Sequence, residues 1–356
     1  MKTSLQVLST ITLVLLVEAG LIYINQAAWK AAENEQYINR LDWSTTWGGI
    51  DFENAKAVVI SGGGIYVAGT TRSYGAGLSD IFLLKYDRDG ELVWSRTWGG
   101  PSYDGDWATA ADNEGIYVAG FTYAGSSTKA NVALLKYDSD GNLVWARTWG
   151  GVEDAVGRGI TINEMGSIYI AGYIRETTTT TKSFLLKYDQ GGKLIWNKTF
   201  GGKGVNAFAV GVNDGIYVDG TNETIENNQW RSEIFLTKFD QAGSILWTRQ
   251  WGSNPINYCY AISVYGDNVY QAGTTSDGSG NFDAILLNYD TSGTLRYNVT
   301  WGKNEEEYAW GIVGGSHYIY ITGHIVEGMS PSYDSLVVKF AAEGVQYGTP
   351  LGAIKT

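Results

Sequence analysis

Lys136-Tyr137-Asp138-Ser139-Asp140-Gly141-Asn142-Leu143-Val144-Trp145-Ala146-Arg147-Thr148-Trp149-Gly150-Gly151 is the stretch whose reading decides the fold. It opens on the end of an apolar run, Val132–Tyr137. It passes through an Asp-x-Asp-Gly turn and continues as a second run, Leu143–Trp149. Aromatic and β-branched residues suit pleated strands, and a Gly that can adopt positive φ suits the tight turn between them. The stretch is therefore a hairpin of two strands, c and d.

Reading outward, the closing Trp-Gly-Gly recurs with its aromatic at Trp47, Trp98, Trp149, Phe200, Trp251 and Trp301, at intervals of 51, 51, 51, 51 and 50 residues. Two other motifs keep the same period. One is IYVAG-like: Ile65–Gly69, Ile116–Gly120, Ile168–Gly172, Ile216–Gly220, Val269–Gly273 and Ile319–Gly323. The other is LLKYD-like, from Leu83–Asp87 to Val337–Ala341. In the unit after Trp98, strand a is expected at Trp107–Ala111, b at Ile116–Thr122, c at Val132–Tyr137 and d at Leu143–Trp149. Strands b and c are apolar on both faces, as strands flanked by two neighbouring blades must be. Four strands in a period near fifty residues predict an all-β fold, a six-bladed β-propeller over residues 41–356.

The pattern KYDxDGxLVWxRTWGG followed by IYVAG resembles the SBBP-type β-propeller repeat of prokaryotic surface and secreted proteins, over about residues 41–352. Trp94–Gly100 and Ile116–Gly120 match it well; the fourth unit departs with Phe200 and Asp219, and the last lacks its tryptophans. The resemblance implies a propeller and an extracytoplasmic place, with no defined activity.

Residues 1–24 carry an apolar run, Leu5–Ile24, behind Lys2. It reads as a hydrophobic helix, either a cleavable signal peptide cut near Val17-Glu18-Ala19 or a membrane anchor. Glu18 opposes the anchor, and Gly20–Ile24 opposes a clean cut. Residues 25–40 read as a short helical spacer. The protein is thus expected to be secreted or held at the cell surface by this segment.

The 37 acidic against 25 basic residues give a formal charge of −12, which opposes binding to nucleic acid or to anionic lipid. One cysteine, Cys259, excludes an internal disulfide and a Cys-based zinc cluster. His317 and His324 are the only histidines. No nucleophile–base pair, haem motif or vicinal cysteine emerges, and no cofactor is expected. Asp87–Gly90 and Asp138–Gly141 are similar to part of a calcium loop, which leaves calcium open as a ligand, although the further oxygen ligands of such a loop are missing. Asn197, Asn222 and Asn298 stand in Asn-x-Ser/Thr triplets, which are possible glycan sites in an exported chain.

Residues that recur with the repeat, its tryptophans above all, are expected to fill the gaps between blades. Site residues should break that symmetry. Six residues past each repeat aromatic stand Glu53, Asp104, Ala155, Asn206, Asn257 and Glu307, short acceptors suited to holding a turn. Nine residues past stand Lys56, Trp107, Arg158, Ala209, Tyr260 and Trp310, large and variable. The tenth position is small throughout. If the ninth position faces the channel, two cations and three aromatics ring its mouth beneath the acidic rim of Glu53, Asp104 and Glu307. Such a mouth suits a sugar or a carboxylated ligand. The variable b–c loops, such as Glu176–Ser183, Asn222–Glu233 and Val326–Asp334, add a recognition surface.

The functional expectation is an extracytoplasmic binding or scaffold propeller that recognises a surface glycan or protein through its loop face. The alternative is a propeller enzyme, acting on glycans or as a quinoprotein-like dehydrogenase. The first strand-like segment, residues 41–47, is also expected to pair with the last blade and close the ring.

Overall fold

The computed structural model describes residues 43–342, apart from 124–127, 178–179, 203–204, 227–228, 253–254, 277, 279, 303–304 and 328–331. The expected signal or anchor (1–24), the spacer (25–40) and the candidate last strand at Val345–Leu351 lie outside the described residues. Among those described, no helix is long and apolar enough to cross a membrane.

Six antiparallel sheets follow one another in sequence. The first holds β1 (Glu53–Ser61), β2 (Gly64–Thr71), β3 (Asp80–Tyr86) and β4 (Leu92–Trp98); the second β5 (Asp104–Asp112), β6 (Gly115–Thr122), β7 (Asn131–Tyr137) and β8 (Leu143–Trp149). The third holds β9 (Asp154–Ile162), β10 (Ile168–Thr177), β11 (Thr180–Tyr188) and β12 (Leu194–Phe200); the fourth β13 (Val205–Val212), β14 (Ile216–Glu226), β15 (Gln229–Phe239) and β16 (Ile245–Trp251). The fifth holds β17 (Ile256–Tyr265), β18 (Asn268–Ser276), β19 (Asp283–Tyr289) and β20 (Leu295–Trp301). The sixth has three strands among the described residues, β21 (Glu306–Gly314), β22 (Tyr318–Glu327) and β23 (Ser332–Ala341). This is a six-bladed β-propeller with the a-b-c-d order that the repeat predicts.

Three of the expected b–c loops are instead hairpins. β10–β11, β14–β15 and β22–β23 stay paired out to Thr177↔Thr180, Glu226↔Gln229 and Glu327↔Ser332. Their alternating Thr, Ile, Arg and Trp residues continue the strand pattern past the core, which a reading of loop composition misses.

The innermost strands β1, β5, β9, β13, β17 and β21 line a channel. At the end carrying the a–b turns it opens into a cavity of about 230 Å³, to which each of them contributes, through Val59, Thr109, Ile160, Val212, Ile262 and Ile312. Strands b and c bury apolar faces between blades, for example Tyr117, Leu134 and Val132 against Ile168, Ile170 and Leu186.

The repeat tryptophans sit on strand d, half-buried against the next blade, as their periodicity predicts. Trp94 Nε1 donates to Ser139 O at 3.3 Å, and Trp149 lies 4.8 Å from the Phe184 ring. Beside Trp94, Arg96 Nε donates to Gly141 O at 2.8 Å and its Nη2 to Asp140 O at 3.1 Å. Arg147 and Arg249 make the same pair of bonds to Gly192 and Gly191, and to Gly293 and Ser292. Gly141 must be glycine twice over: its φ is 81°, and a Cβ would lie 2.9 Å from the Trp94 ring.

The c–d turn aspartates have their own local work. Asp87 Oδ1 accepts from the amides of Asp89 and Glu91, and Asp138 Oδ1 from those of Asp140 and Asn142. This is the Asx-turn chemistry that their spacing also permits.

Candidate functional site

Each innermost strand carries a β-bulge at the same place. In β5 the partners of β6 step from Asp106 to Ala108, so Trp107 is the extra residue. The same skip falls on Lys56 in β1, Arg158 in β9, Tyr260 in β17 and Trp310 in β21. A bulge re-aims the side chain of its extra residue. It also explains the invariant Gly of IYVAG: a Cβ on Gly120 would sit 2.0 Å from Gly105 O. The ninth-position residues are thus set by backbone pairing.

In β13 the skipped residue is Phe208, not Ala209. The turn after Phe200 is one residue shorter than its counterparts, so counting from the aromatic misplaces the fourth blade by one. Ala209 pairs with Asp219, the tenth-position role, and its side chain lies outside those described, as does that of Phe208.

The structure brings the expected mouth residues together in two groups. On blades one to three, Lys56 Nζ lies 3.8 Å from the Trp107 ring centroid and Arg158 Cζ lies 3.6 Å from a Trp107 ring. On blades five and six, Tyr260 and Trp310 are 4.1 Å apart, and Trp310 Nε1 donates to His324 Nδ1 at 2.8 Å. All five are half-buried.

Asp106, outside the expected ring of mouth residues, sits beneath the cationic group. Position eight reads Ala55, Asp106, Gly157, Cys259 and Ala309, with Ala207 at the matching register in β13. One carboxylate among small residues was the available signal. Asp106 is fully buried; Thr70 Oγ1 donates to its Oδ1 at 3.4 Å, and Lys56 Nζ donates to its main-chain oxygen at 3.1 Å. Its Oδ2 has no hydrogen-bond partner. Burial pushes its carboxyl up to about 6, against the opposing pull of the Lys56 charge. Burial also lowers the Lys56 ammonium, with Asp106 raising it and Arg158 lowering it further. The same cause brings the Arg158 guanidinium down to about 10.

The expected acidic rim is not brought to the mouth. Glu53 Oε2 accepts from Gly49 N at 3.2 Å and its Oε1 from Thr71 Oγ1 at 2.9 Å. Asp104 Oδ2 accepts from Gly100 N at 2.8 Å, and Asp104 is fully buried. Glu307 is buried beside Gly302. Where their contacts are described, these residues tie the Trp-Gly-Gly turn to the end of strand b, the turn-holding role that short acceptors suit.

A second symmetry break lies at position seven. It reads Asn54, Gly105, Val156, Tyr258 and Tyr308, with Asn206 at the matching register in β13. The two tyrosines extend the aromatic group outward: Tyr258 stacks 6.1 Å from Tyr260, and Tyr308 stacks 6.0 Å from Trp310.

No protein-family model matches the chain. Regulatory protein FlaEY of Caulobacter vibrioides is 28% identical over 170 residues, which cover 40% of this chain; the match spans only 18% of that protein's length. Among solved structures, the Neurospora crassa Pan2 WD40 domain superposes with a TM-score of 0.51 at 12% identity, over 82% of this chain and 80% of that one. The β-propeller domain of the Trilobed protease from Pyrococcus furiosus gives a TM-score of 0.47 at 11% identity, over 83% and 92%. A subtype N10 neuraminidase-like protein from a little yellow-shouldered bat gives 0.47 at 11%, over 79% and 90%. At such identities the likeness is one of fold alone.

Proposed function

We propose that this chain is a binding propeller that works outside the cytoplasm and takes a carboxylated ligand, such as an acidic surface glycan, at the loop-side mouth of its channel. The observation that carries this reading is the convergence of Lys56 and Arg158 on Trp107. Two like charges drawn out of water onto one ring oppose each other and cost free energy that the fold does not need. A ligand carboxylate between them would offset that cost through charge-assisted hydrogen bonds. The Tyr260–Trp310 pair across the mouth offers apolar faces with polar edges, suited to a sugar ring.

The extracytoplasmic place is supported by the apolar run Leu5–Ile24 and by the resemblance of the repeats to SBBP-type surface propellers. Fractionation of the host should find the propeller accessible to protease outside the cytoplasmic membrane; fully protected cytosolic protein would reject that part.

Calorimetric titration with galacturonate and with galactose tests the ligand class. The acid should bind and the neutral sugar should bind far more weakly, with the difference lost in Lys56→Met/Arg158→Met. Equal affinities would sink the reading. Asp106 is the group that favours a catalytic alternative, since a carboxyl near 6 lies in the range of a general acid. Cleavage of an acidic glycan by wild type and not by Asp106→Asn would replace binding with turnover.

A further inference from the structure

The mouth accounts for the bulge residues but not for the aromatics beyond them. Phe282 and Tyr308 are near-parallel at 5.4 Å, Tyr308 and Trp310 at 6.0 Å, Trp310 and Tyr260 touch at 4.1 Å, and Tyr260 and Tyr258 lie at 6.1 Å. The contacts run outward from the Tyr260–Trp310 pair at the mouth in two arms on the loop-side face of blades five and six, one to Tyr258 and one through Tyr308 to Phe282, and each ring is half-buried. Past the first arm, the Tyr258 hydroxyl is hydrogen-bonded to Trp230, which stands 48% exposed near the tip of the β14–β15 hairpin.

Blade packing does not explain these two arms. The core clusters between blades draw on all four strands, and of these rings only Tyr260 packs against one, the cluster between blades five and six; Tyr258, Phe282, Tyr308 and Trp310 belong to none. Tyrosine at position seven occurs in units five and six alone. A feature kept by two neighbouring blades and dropped by the other four answers to something outside the blades.

We infer that these rings form a track for successive sugar rings, so that the ligand is an oligosaccharide whose acidic end lies at Lys56 and Arg158; this rests on the proposed function for the acidic end only. Rigid aromatic side chains give large contact area at low entropy cost, and the apolar face of a sugar ring matches a π face while its hydroxyls stay wet. The track carries polar atoms along its edge, among them the Tyr308 hydroxyl, which donates to Glu306 Oε2 at 2.8 Å. Stacking rows also suit single-stranded nucleic acid, but a chain of net charge −12 opposes a polyphosphate backbone.

Galacturonate oligomers and neutral cello-oligosaccharides of one to six rings, titrated against the full chain, separate the two readings. Wild type should bind a hexamer about tenfold or more tightly than a monomer in the galacturonate series. Tyr258→Ala/Tyr308→Ala should bring the hexamer down to monomer affinity and leave galacturonate itself unchanged, with Tyr258→Leu/Tyr308→Leu as the variant that keeps apolar volume should the alanines unfold the blade. Length dependence that survives Lys56→Met/Arg158→Met in the neutral series would support the track while the charged mouth fell. Galacturonate binding with no length dependence would overturn the track and leave the mouth standing. Failure of both series to bind, or capture of a proline-rich decapeptide in their place, would overturn the inference outright.

Discussion

Lys56 and Arg158 bring their charges to the same indole, with Nζ of Lys56 3.8 Å and Cζ of Arg158 3.6 Å from the rings of Trp107. Each gains a cation–π contact, commonly worth about 0.5–2 kcal/mol, and loses much of its hydration. Replacing buried charges with apolar residues of similar size is often neutral or stabilising. Lys56→Met/Arg158→Met should therefore leave the melting temperature unchanged or raised while anionic ligand binding is lost. A clear drop in melting temperature would mark the pair as structural.

Trp107 gives the companion test. Its ring is held by the two cations rather than by an apolar cluster, whereas Trp149 packs on Phe184 and the core between blades two and three. Trp107→Ala should cost no more than about 1 kcal/mol and Trp149→Ala about 2–4 kcal/mol, less than full core truncation because Trp149 is half-buried. Equal losses in thermal or urea unfolding would place Trp107 in the core.

Asp106 should leave a signature in the pH dependence of stability. An aspartate in the unfolded chain ionises near 4, and Asp106 in the fold keeps its proton until about 6. Between those values the folded state binds more protons than the unfolded one. Stability from this group is therefore full below about 4, falls as pH rises to about 6, and stays low above. Asp104, also raised, first by burial and then by the charge of Asp80, acts in the same direction, so the informative quantity is the difference between wild type and Asp106→Asn. That variant should gain roughly 2–3 kcal/mol over wild type at pH 7 and nothing at pH 4. A constant difference across this range would reject the shift. Protonating Asp106 also makes the mouth more cationic, so galacturonate should bind more tightly at pH 5 than at pH 7.

The fold was legible because packing repeats. Every gap between blades takes the same tyrosine and, but for Phe200 and Tyr297, the same tryptophans, so the core is written over and over. The site was legible only in the ninth column after the repeat aromatic, where large and variable residues broke that repeat. Lys56, Trp107, Arg158, Tyr260 and Trp310 were found by column; Asp106, Tyr258 and Tyr308 stand in neighbouring columns with the same kind of break. Phe208 was missed for another reason. A bulge is fixed by pairing with strand b, and a one-residue deletion in the preceding turn moves the count without moving the pairing. Glu53 and Asp104 bond the turns beside them, and the sequence pattern of a carboxylate that holds a turn is the same as that of one that lines a mouth.

The arginine clamps between blades make a stability prediction of their own. Arg96, Arg147 and Arg249 each bond two turn carbonyls of the next blade. The equivalent residues at the next two junctions are Val299 on β20 and Thr45 before the first blade. Hydrogen bonds to charged groups contribute about 1.5–3 kcal/mol, and partial exposure lowers that. Arg96→Ala should cost about 1–2 kcal/mol in urea unfolding, while Thr45→Arg, at the exposed position that matches Arg96 in the repeat, should raise stability by up to about 1 kcal/mol. A neutral Arg96→Ala would show the clamps to be incidental.

Thr45 belongs to the segment on which ring closure turns. β1 and β21 do not pack side by side as the other five pairs of adjacent innermost strands do. Tyr320 is only half-buried, where its counterparts Tyr66, Tyr117, Tyr169, Tyr217 and Tyr270 are at most 2% exposed. β23 has no fourth strand beside it among the described residues. Residues 43–47 form no ladder with it, so the expected pairing is absent among the described residues. Yet these residues already hold the place of a fourth strand against blade one. Trp43 Nε1 donates to Arg88 O at 3.1 Å, as Trp94 does to Ser139 O at 3.3 Å. Trp47 lies 4.8 Å from Phe82, as Trp149 does from Phe184. The register of β3 with β4 would set Thr45 opposite Val337 and Trp47 opposite Ser335. Closure along that register would satisfy the open edge of β23, an edge that otherwise invites aggregation. Thr45→Cys/Val337→Cys should form a disulfide in mild oxidant and raise the melting temperature. Removing residues 1–48 should cripple folding, and removing 346–356, which contain Pro350, should be tolerated. If the C-terminal deletion is the damaging one and the cysteines stay reduced, the C-terminal stretch closes the sixth blade and Trp43–Trp47 merely caps the first.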